Sequence, residues 1–289
     1  MQPESCAVGL PSPSVALVLA ISGAVCYGLA DFSGGYASKR LPPWGVMAWS
    51  QTLGLPALAV GLLLFPAEAV ISSDILWGVL AGVAGAVGLG LLYRSLAEGT
   101  MSVVSPVAAA TSAVLPVLVD LATGGEMSRL AGVGVLIALV AIVTIARERS
   151  KRRLTPRLLS MAIVSGAGFG TFFVAISQTA EASGFWPLVG ARAATIPLGF
   201  MLHRLLEPSV RPRGVNLRWV AGAGLFDMGA NLLIAAALQR GPLGVVSVLS
   251  SLYPAVTAVV AMVVLKERIS RTQVIGIGLA MVAVVLLVL

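Results

Sequence analysis

Long apolar stretches alternate with short polar loops along the whole chain. A helix of about 20 apolar residues crosses the hydrocarbon core of a bilayer, because each residue adds about 1.5 Å along the helix axis. The pattern predicts ten transmembrane helices, and the short loops imply that consecutive helices lie side by side and run antiparallel. The ten stretches are Val15–Tyr36, Trp44–Phe65, Ile75–Leu96, Val103–Thr123, Leu130–Ala146, Leu158–Thr179, Trp186–Leu206, Leu217–Leu238, Val245–Leu265 and Val274–Leu289.

The second half of the sequence repeats features of the first half. Gly99–Ser105 (GTMSVVS) recurs as Gly241–Ser247 (GPLGVVS), and Pro56 of the second stretch corresponds to Pro197 of the seventh. The two copies stay separated by about 142 residues. Because each copy contains an odd number of predicted helices, the second copy should enter the membrane upside down relative to the first.

The sequence therefore predicts an all-α membrane protein of ten transmembrane helices, arranged as two inverted five-helix repeats. Residues 1–146 form the first repeat, residues 147–157 a basic cytoplasmic linker and residues 158–289 the second repeat. Inverted repeats are a recurring architecture of secondary transporters, whose substrate site lies between the repeats near the bilayer midplane.

Composition supports this class and disfavours others. Of 289 residues, 58% are hydrophobic and 11% are charged, whereas about a quarter of the residues of a soluble domain are charged. The net charge of +7 does not indicate a nucleic-acid partner, because the basic residues occupy short loops rather than one solvated face. A lone histidine, His203, cannot build a metal site by itself. With no Gly-rich phosphate loop or Ser–His set, we expect no cofactor and no enzymatic activity.

Lysine and arginine residues predict the orientation of the chain. They concentrate in the loops of one side, including the run Arg147–Arg157, while the opposite loops contain Arg129 and Arg240. Cytoplasmic loops carry an excess of such residues. We expect a multi-pass protein of the cell membrane with residues 147–157 in the cytoplasm and both termini outside.

Two charged residues lie well inside predicted spans, away from the span ends, where a charge costs at least about 2.5–3.5 kcal/mol. Arg192 lies in the seventh span and Asp227 near the middle of the eighth, with Asn231 one turn further along the same helix face. One interpretation is a cavity in which Asp227 and Asn231 contact the substrate or a proton, with Arg192 as a partner or anion-binding group. The other is a structural ion pair between Arg192 and Asp227. The sequence leaves both open.

Other polar side chains within the spans are candidates for the same cavity. These residues combine apolar surface or amide groups with hydrogen-bonding tips, which suits a pocket for a small organic molecule. They are Tyr27, Trp49, Gln51, Tyr93, Gln178 and Tyr253. Asp31, about one turn from the inner end of the first span, and Asp120, near the outer end of the fourth, are expected to be solvated helix ends. Pro254, which follows Tyr253, could bend the ninth helix.

Several segments together resemble the EamA family of the drug/metabolite transporter superfamily, over essentially the full chain. They are Gly28–Gly35 (GLADFSGG), Ser250–Pro254 (SSLYP) and Leu265–Ser270 (LKERIS). The first copy departs from this pattern, because Gly124–Ser128 (GGEMS) stands where the second copy has Lys266–Ser270 (KERIS). The resemblance implies a ten-helix bundle with a central cavity between helices 1, 3, 4, 6, 8 and 9, and with helices 5 and 10 at the periphery.

These observations favour a secondary active transporter of small metabolites that works by alternating access through a central cavity. The expected substrate is an amino acid or a related small organic solute, with export as the favoured direction. A gradient of solute or of a coupling ion, proton or sodium, would supply the energy. Membrane lipids are the other expected partners, a monomer is the default and a homodimer is left open. The alternatives are a membrane-embedded enzyme and a non-transporting membrane scaffold.

Overall fold

The structure is a computed structural model that describes residues 13–99, 101–122, 129–146, 155–208, 211–240, 246, 249–250, 252–266 and 271–286. This part of the chain is helical and contains no β-strand. A single 3₁₀ turn, Glu181–Ser183, precedes α8. The α-helices are α1 (Pro13–Ser38), α2 (Pro43–Leu53), α3 (Leu55–Leu64), α4 (Ser72–Glu98), α5 (Met101–Ala122), α6 (Arg129–Ala146), α7 (Pro156–Ser177), α8 (Trp186–Leu206), α9 (Val215–Leu238), α10 (Tyr253–Val264) and α11 (Arg271–Leu286).

Five helical segments of the described residues are long and apolar enough to cross a membrane: Val15–Ser38, Pro43–Leu64, Ser72–Glu98, Pro156–Ser177 and Val215–Ala237. Large apolar side chains also cover much of the outer surface, and Leu63, Leu205 and Val263 are each more than 70% exposed. A water-soluble protein rarely exposes apolar surface on this scale. The fold is therefore that of an integral membrane protein, and the count of ten spans remains a prediction.

The second and ninth predicted spans differ from simple continuous helices. Gly54 separates α2 from α3, and Pro56 in the first turn of α3 has no N–H to donate to the carbonyl of Thr52. Residues 246, 249 and 250 are helical, but α10 begins at Tyr253 and contains Pro254 in its first turn. The rest of residues 241–251 lies outside the described part, as does the interior of the predicted linker.

The packing of the helices follows an approximate twofold relation between the halves. In chain order α1, the α2–α3 pair, α4, α5 and α6 correspond to α7, α8, α9, α10 and α11. Several contacts between helices of the two halves have a counterpart. The α1–α9 contact corresponds to the α7–α4 contact, the α2–α9 contact to the α8–α4 contact, and the α1–α10 contact to the α7–α5 contact. Three further contacts, α2 with α8, α5 with α10 and α6 with α11, join corresponding helices directly.

Neighbouring side chains give the relative directions of these helices. α4 runs antiparallel to α7 and parallel to α8. α8 in turn runs antiparallel to α2. The α2–α3 pair runs parallel to α9, and α9 runs antiparallel to α1. It follows that α1 and α7, the first helices of the two halves, run in opposite directions. The contacting pairs are Gly85 with Phe172, Gly88 with Ser165, Gly78 with Pro187, Gly82 with Ala191, Gly45 with His203, Gln51 with Arg192, Gly54 with Gly224, Gly61 with Leu232, Gly23 with Ile234 and Gly222 with Ser33.

Glycines allow the close approach on which these crossings depend. A Cβ atom on Gly82 would collide with the backbone carbonyl of Ala191, and one on Gly224 would collide with that of Ser50. Membrane helices associate by close packing at small residues, because lipid offers no hydrophobic driving force between helices. The glycine content of the sequence therefore has a direct structural use.

Two polar contacts join the halves at opposite ends of the bundle. A Glu207 carboxylate oxygen after α8 accepts the backbone N–H groups of Trp44 (3.0 Å) and Gly45 (3.3 Å) at the start of α2. An Asp74 carboxylate oxygen in the first turn of α4 accepts the Ser183 hydroxyl at 2.7 Å. Each carboxylate is supplied by one half and hydrogen-bonded by the other, so both contacts hold the halves in their present arrangement.

Candidate functional site

A cavity of about 50 Å³ lies between the two halves and is partly open to the outside. Its walls come from α1, α2, α4 and α5 of the first half and from α7, α8, α9 and α10 of the second. The described parts of α6 and α11 do not line it and pack against each other through Ala141, Ala280 and Ala283. The lining residues are Tyr27, Asp31, Gln51, Gly85, Leu89, Ser112, Phe169, Phe172, Phe173, Arg192, Thr195, Asp227, Asn231 and Tyr253.

Most of these residues form pairs related by the sequence repeat, with 141 or 142 residues between partners. The two halves therefore contribute equivalent positions to the cavity, but the chemistry at those positions differs, since each charged residue has an uncharged partner. The pairs are Tyr27 with Phe169, Asp31 with Phe173, Gln51 with Arg192, Gly85 with Asp227, Leu89 with Asn231 and Ser112 with Tyr253.

An ion pair lies in the wall of the cavity. An Arg192 Nη atom is 2.8 Å from a carboxylate oxygen of Asp227, and the side chains are 8% and 13% exposed. Gln51 joins both groups, because its amide oxygen accepts from Arg192 and its Nε2 donates to Asp227 at 3.1 Å. The Arg192 Nε atom is buried without a hydrogen-bond partner among the described residues. The network neutralises both charges and leaves one guanidinium donor unused.

Asn231 extends this network towards α1. Its side-chain N–H donates to the backbone carbonyl of Asp227 at 2.7 Å, and its oxygen accepts the Tyr27 hydroxyl at 3.1 Å. The Tyr27 ring makes an edge contact with the Tyr253 ring at 6.1 Å between centroids. The Tyr253 hydroxyl is buried and has no hydrogen-bond partner in the described part of the chain. Polar groups of α1, α9 and α10 thus meet on one side of the cavity.

Asp31 differs from the expectation of a solvated helix end. Its side chain lines the cavity, and the residue is 6% exposed because α1 continues to Ser38 and packs against α5. The Ser105 hydroxyl donates to the carboxylate at 3.3 Å, and no cation of the described residues pairs with it. In the sequence Asp31 lies near the end of an apolar run. This position alone does not indicate that a second helix, α5, covers its side chain.

Aromatic side chains of α7 form an apolar part of the cavity wall. Phe169, Phe172 and Phe173 line the cavity, and Phe172 and Phe173 make an edge contact with ring centroids 5.8 Å apart. A pocket with apolar walls and a few converging polar groups is the usual form of a small-molecule site. No cluster of three or more His, Cys, Asp or Glu residues occurs in the described residues.

The remaining predicted site residues lie elsewhere. Tyr93 is fully buried in the core between α1 and α4, where its ring contacts Gly34. Gln178 caps the C-terminal end of α7, is exposed and donates to the Ser177 hydroxyl at 3.4 Å. The side chain of Asp120 lies outside the described residues. The sequence-based selection included Gln51 among the polar residues of the spans, which repeat alignment with Arg192 also indicates. It did not include Asp31, Ser112, Thr195 and the three phenylalanines among the cavity residues.

Fold and cavity together define a class: an integral membrane protein of two helical halves with a cavity between them that has charged residues in its wall. The chain belongs to the EamA-like transporter family, because the model of that family matches residues 14–147 and, a second time, residues 157–289. The family is part of the drug/metabolite transporter superfamily. Membership supports a small-molecule substrate and a lipid environment, and the family is one of transporters rather than enzymes.

Other comparisons add information on the fold alone. No curated protein matches the chain. A solved crystal structure, whose title names no function, is similar over 95% of this chain and 96% of its own chain. The TM-score is 0.66 and the sequence identity is 18%. At that identity the similarity indicates a shared fold and nothing about the substrate.

Proposed function

We propose that the protein is a secondary active transporter that moves a small metabolite, an amino acid or a related small organic solute, by alternating access through the central cavity. Export is the proposed direction. The observation that carries the proposal is the position of the Arg192–Asp227 ion pair in a cavity to which both halves contribute equivalent positions. Buried ionic groups are costly in a membrane and usually mark a pathway for solutes or ions.

The proposed topology has ten spans, with the loop at residues 147–157 in the cytoplasm and both termini outside. Two independent observations support it: the basic residues concentrate in the loops of one side, and α1 and α7 run in opposite directions. In this arrangement the cavity lies near the bilayer midplane, where inverted-repeat transporters bind their substrates.

The proposed substrate contacts are Asp227, Asn231, Arg192, Tyr27 and Tyr253. The Arg192 Nε and Tyr253 hydroxyl groups are buried without partners among the described residues, and a buried donor without a partner costs about 1–3 kcal/mol. A solute with carboxylate or hydroxyl oxygens would satisfy them. Tyr93 and Gln178, which lie outside the cavity, have no part in this site.

The energy for transport is proposed to come from a gradient of proton, sodium or counter-solute. The sequence contains no Gly-rich phosphate loop with which to bind a nucleotide. Transport by purified protein in liposomes without any ion or solute gradient would contradict this part of the proposal.

The test is solute flux in proteoliposomes with purified wild-type protein and the variants Arg192→Gln and Asp227→Asn. The liposomes are loaded with unlabelled amino acids or small amines, and counterflow is measured as the uptake of each radiolabelled solute from outside. We expect at least one solute to be moved and its flux to fall about tenfold or more in each variant, since each removes a charge from the cavity. Arg94→Gln, which breaks an exposed ion pair with Glu98 (34% and 40% exposed), serves as the control. Equal flux in all four proteins and in empty liposomes would favour a scaffold and refute transport.

A further inference from the structure

The cavity contains one carboxylate more than its cations neutralise. Three of its lining residues carry formal charges, Asp31, Arg192 and Asp227. Arg192 and Asp227 form an ion pair, to which Gln51 adds a hydrogen bond on each side. Asp31 is left over, and its one hydrogen bond within the described residues, from Ser105, is long and uncharged.

In this position an ionised carboxylate needs a cationic group, and without one the carboxyl group keeps its proton. At 6% exposure Asp31 is largely removed from water, and an ionised carboxylate without a charged partner is unfavourable in such a place. The side chain of Lys39 lies two helical turns further along α1, about 12 Å of rise away, and donates to the carbonyl of Gly99. The cation that completes the Asp31 site therefore comes from outside this part of the chain.

The groups around Asp31 suit a protonated amine. Tyr27 lies one turn before Asp31 on the same face of α1, and its ring contacts that of Tyr253. α10 is held against this part of α1 by the Thr257 hydroxyl, which donates to the Gly28 carbonyl at 3.2 Å. The partnerless Tyr253 hydroxyl can accept one of the three N–H groups of an ammonium ion while Asp31 accepts another.

The apolar part of the cavity wall fits the rest of such a solute. Phe173, the repeat-related partner of Asp31, lines the cavity together with Phe169 and Phe172. Aromatic faces attract cations and also bury apolar groups. A solute with an ammonium group at one end and an apolar or aromatic body at the other matches both parts of the cavity wall.

We propose that the Asp31 carboxylate and the Tyr253 hydroxyl bind the ammonium group of an amine solute whose apolar body lies against Phe169, Phe172 and Phe173. The inference rests on the proposed function, because it assigns the substrate class and the recognition residue of the same cavity. It gives Asp31, rather than Asp227, the role of cation recognition, since Asp227 already has Arg192 as its partner.

Binding is tested on purified full-length protein in detergent micelles at neutral pH by titration calorimetry. The probes are phenethylamine and the nearly isosteric but uncharged phenethyl alcohol. We expect wild-type protein to bind the amine at least about tenfold more tightly than the alcohol, because only the amine forms charge-assisted hydrogen bonds. Asp31→Asn should abolish this preference, and Tyr253→Phe should weaken amine binding by about fivefold.

Asp74→Asn is the matched control, because Asp74 is also a buried aspartate (4% exposed) but does not line the cavity. It should bind the amine as the wild type does once the amount of folded protein is equalised. Wild-type affinity for the amine in Asp31→Asn, or no amine binding by the wild type, would overturn the inference. The inference would also be overturned if Asp31→Asn still bound the amine but its transport in proteoliposomes no longer responded to an ion gradient. In that case Asp31 would serve a coupling ion.

The proteoliposome counterflow assay separates this inference from the proposed function. If the panel solutes are moved equally by wild-type protein and Asp31→Asn, the transporter stands and the role of Asp31 falls. If no solute is moved, yet the amine binds in an Asp31-dependent manner, the binding site stands and the transport proposal falls.

Discussion

Removing both charges of the buried ion pair should destabilise the protein by less than the sum of the two single removals. Arg192→Gln leaves Asp227 in a site where its side chain is 13% exposed and where Gln51 is the remaining side-chain donor among the described residues. Breaking a buried pair by removal of one partner costs about 3–5 kcal/mol, because the other charge stays behind without compensation. The hydrogen bond from Gln51 favours the lower end of that range.

The double variant provides the magnitude of the interaction. In Asp227→Asn alone, the Arg192 guanidinium keeps its hydrogen bond to Gln51. Its other side-chain contact in the described part of the chain is a long one, to the Met228 sulfur at 3.9 Å. With both charges removed, no buried ion remains, so the double variant should be more stable than the sum of the single effects implies by about 1–3 kcal/mol. The exposed pair of Arg94 with Glu98 should show a coupling of about 0.5 kcal/mol or less.

The assay is equilibrium unfolding of purified protein in mixed micelles, followed by tryptophan fluorescence and by the helical circular-dichroism signal. Free energies of unfolding for wild type, both single variants and the double variant complete the cycle. Additive effects of Arg192→Gln and Asp227→Asn, or single effects below about 1 kcal/mol, would refute the reasoning, because either result means that the two groups are not a desolvated pair.

Further predictions concern the contacts between the halves, each measured as the change in melting temperature in detergent. Gly82→Val should destabilise the protein by about 1–3 kcal/mol by overpacking the crossing of α4 and α8, whereas Gly229→Ala, which meets open space, should be neutral or stabilising; equal effects would contradict the close approach. Glu207→Gln should cost about 1 kcal/mol and speed hydrogen exchange of the Trp44 amide, which loses a charged acceptor; unchanged exchange would exclude that contact. Asp74→Asn should cost about 1–2 kcal/mol, and an unaltered melting temperature would show that this contact does not hold the halves together.

Hydropathy predicts the depth of a residue in the membrane. It says little about whether the side chain faces the cavity, the core or the lipid. The predicted span Trp186–Leu206 coincides with α8, and most other boundaries agree within a few residues. The spacing of Asp227 and Asn231 also predicts their common face. Tyr93, however, is polar and within a span like the cavity residues, yet it faces the core, because a helix that is apolar on nearly all sides carries no signal for its orientation.

Long-range packing explains the other differences. Asp31 lies near the end of an apolar run, and its burial depends on α5, which approaches α1 only in the folded bundle. The interruption at Gly54 follows from Pro56, a signal that the sequence contains but that hydropathy averages away. The repeat offers the strongest unused information, since the alignment of Gln51 with Arg192 places a second polar residue at the equivalent position of the other half.

The cavity residues at repeat-related positions differ in chemistry, so the two halves of the cavity are not equivalent. A carrier built from two identical halves would rest equally in either open form and accept a dipolar solute equally well in either orientation. Here Asp31 is matched by Phe173 and Asp227 by Gly85, so under the proposed alternating access a dipolar solute would have one preferred orientation and the two open forms would differ in energy. The two halves share one frame, and the cavity positions at which they differ would give the proposed transporter a directional bias.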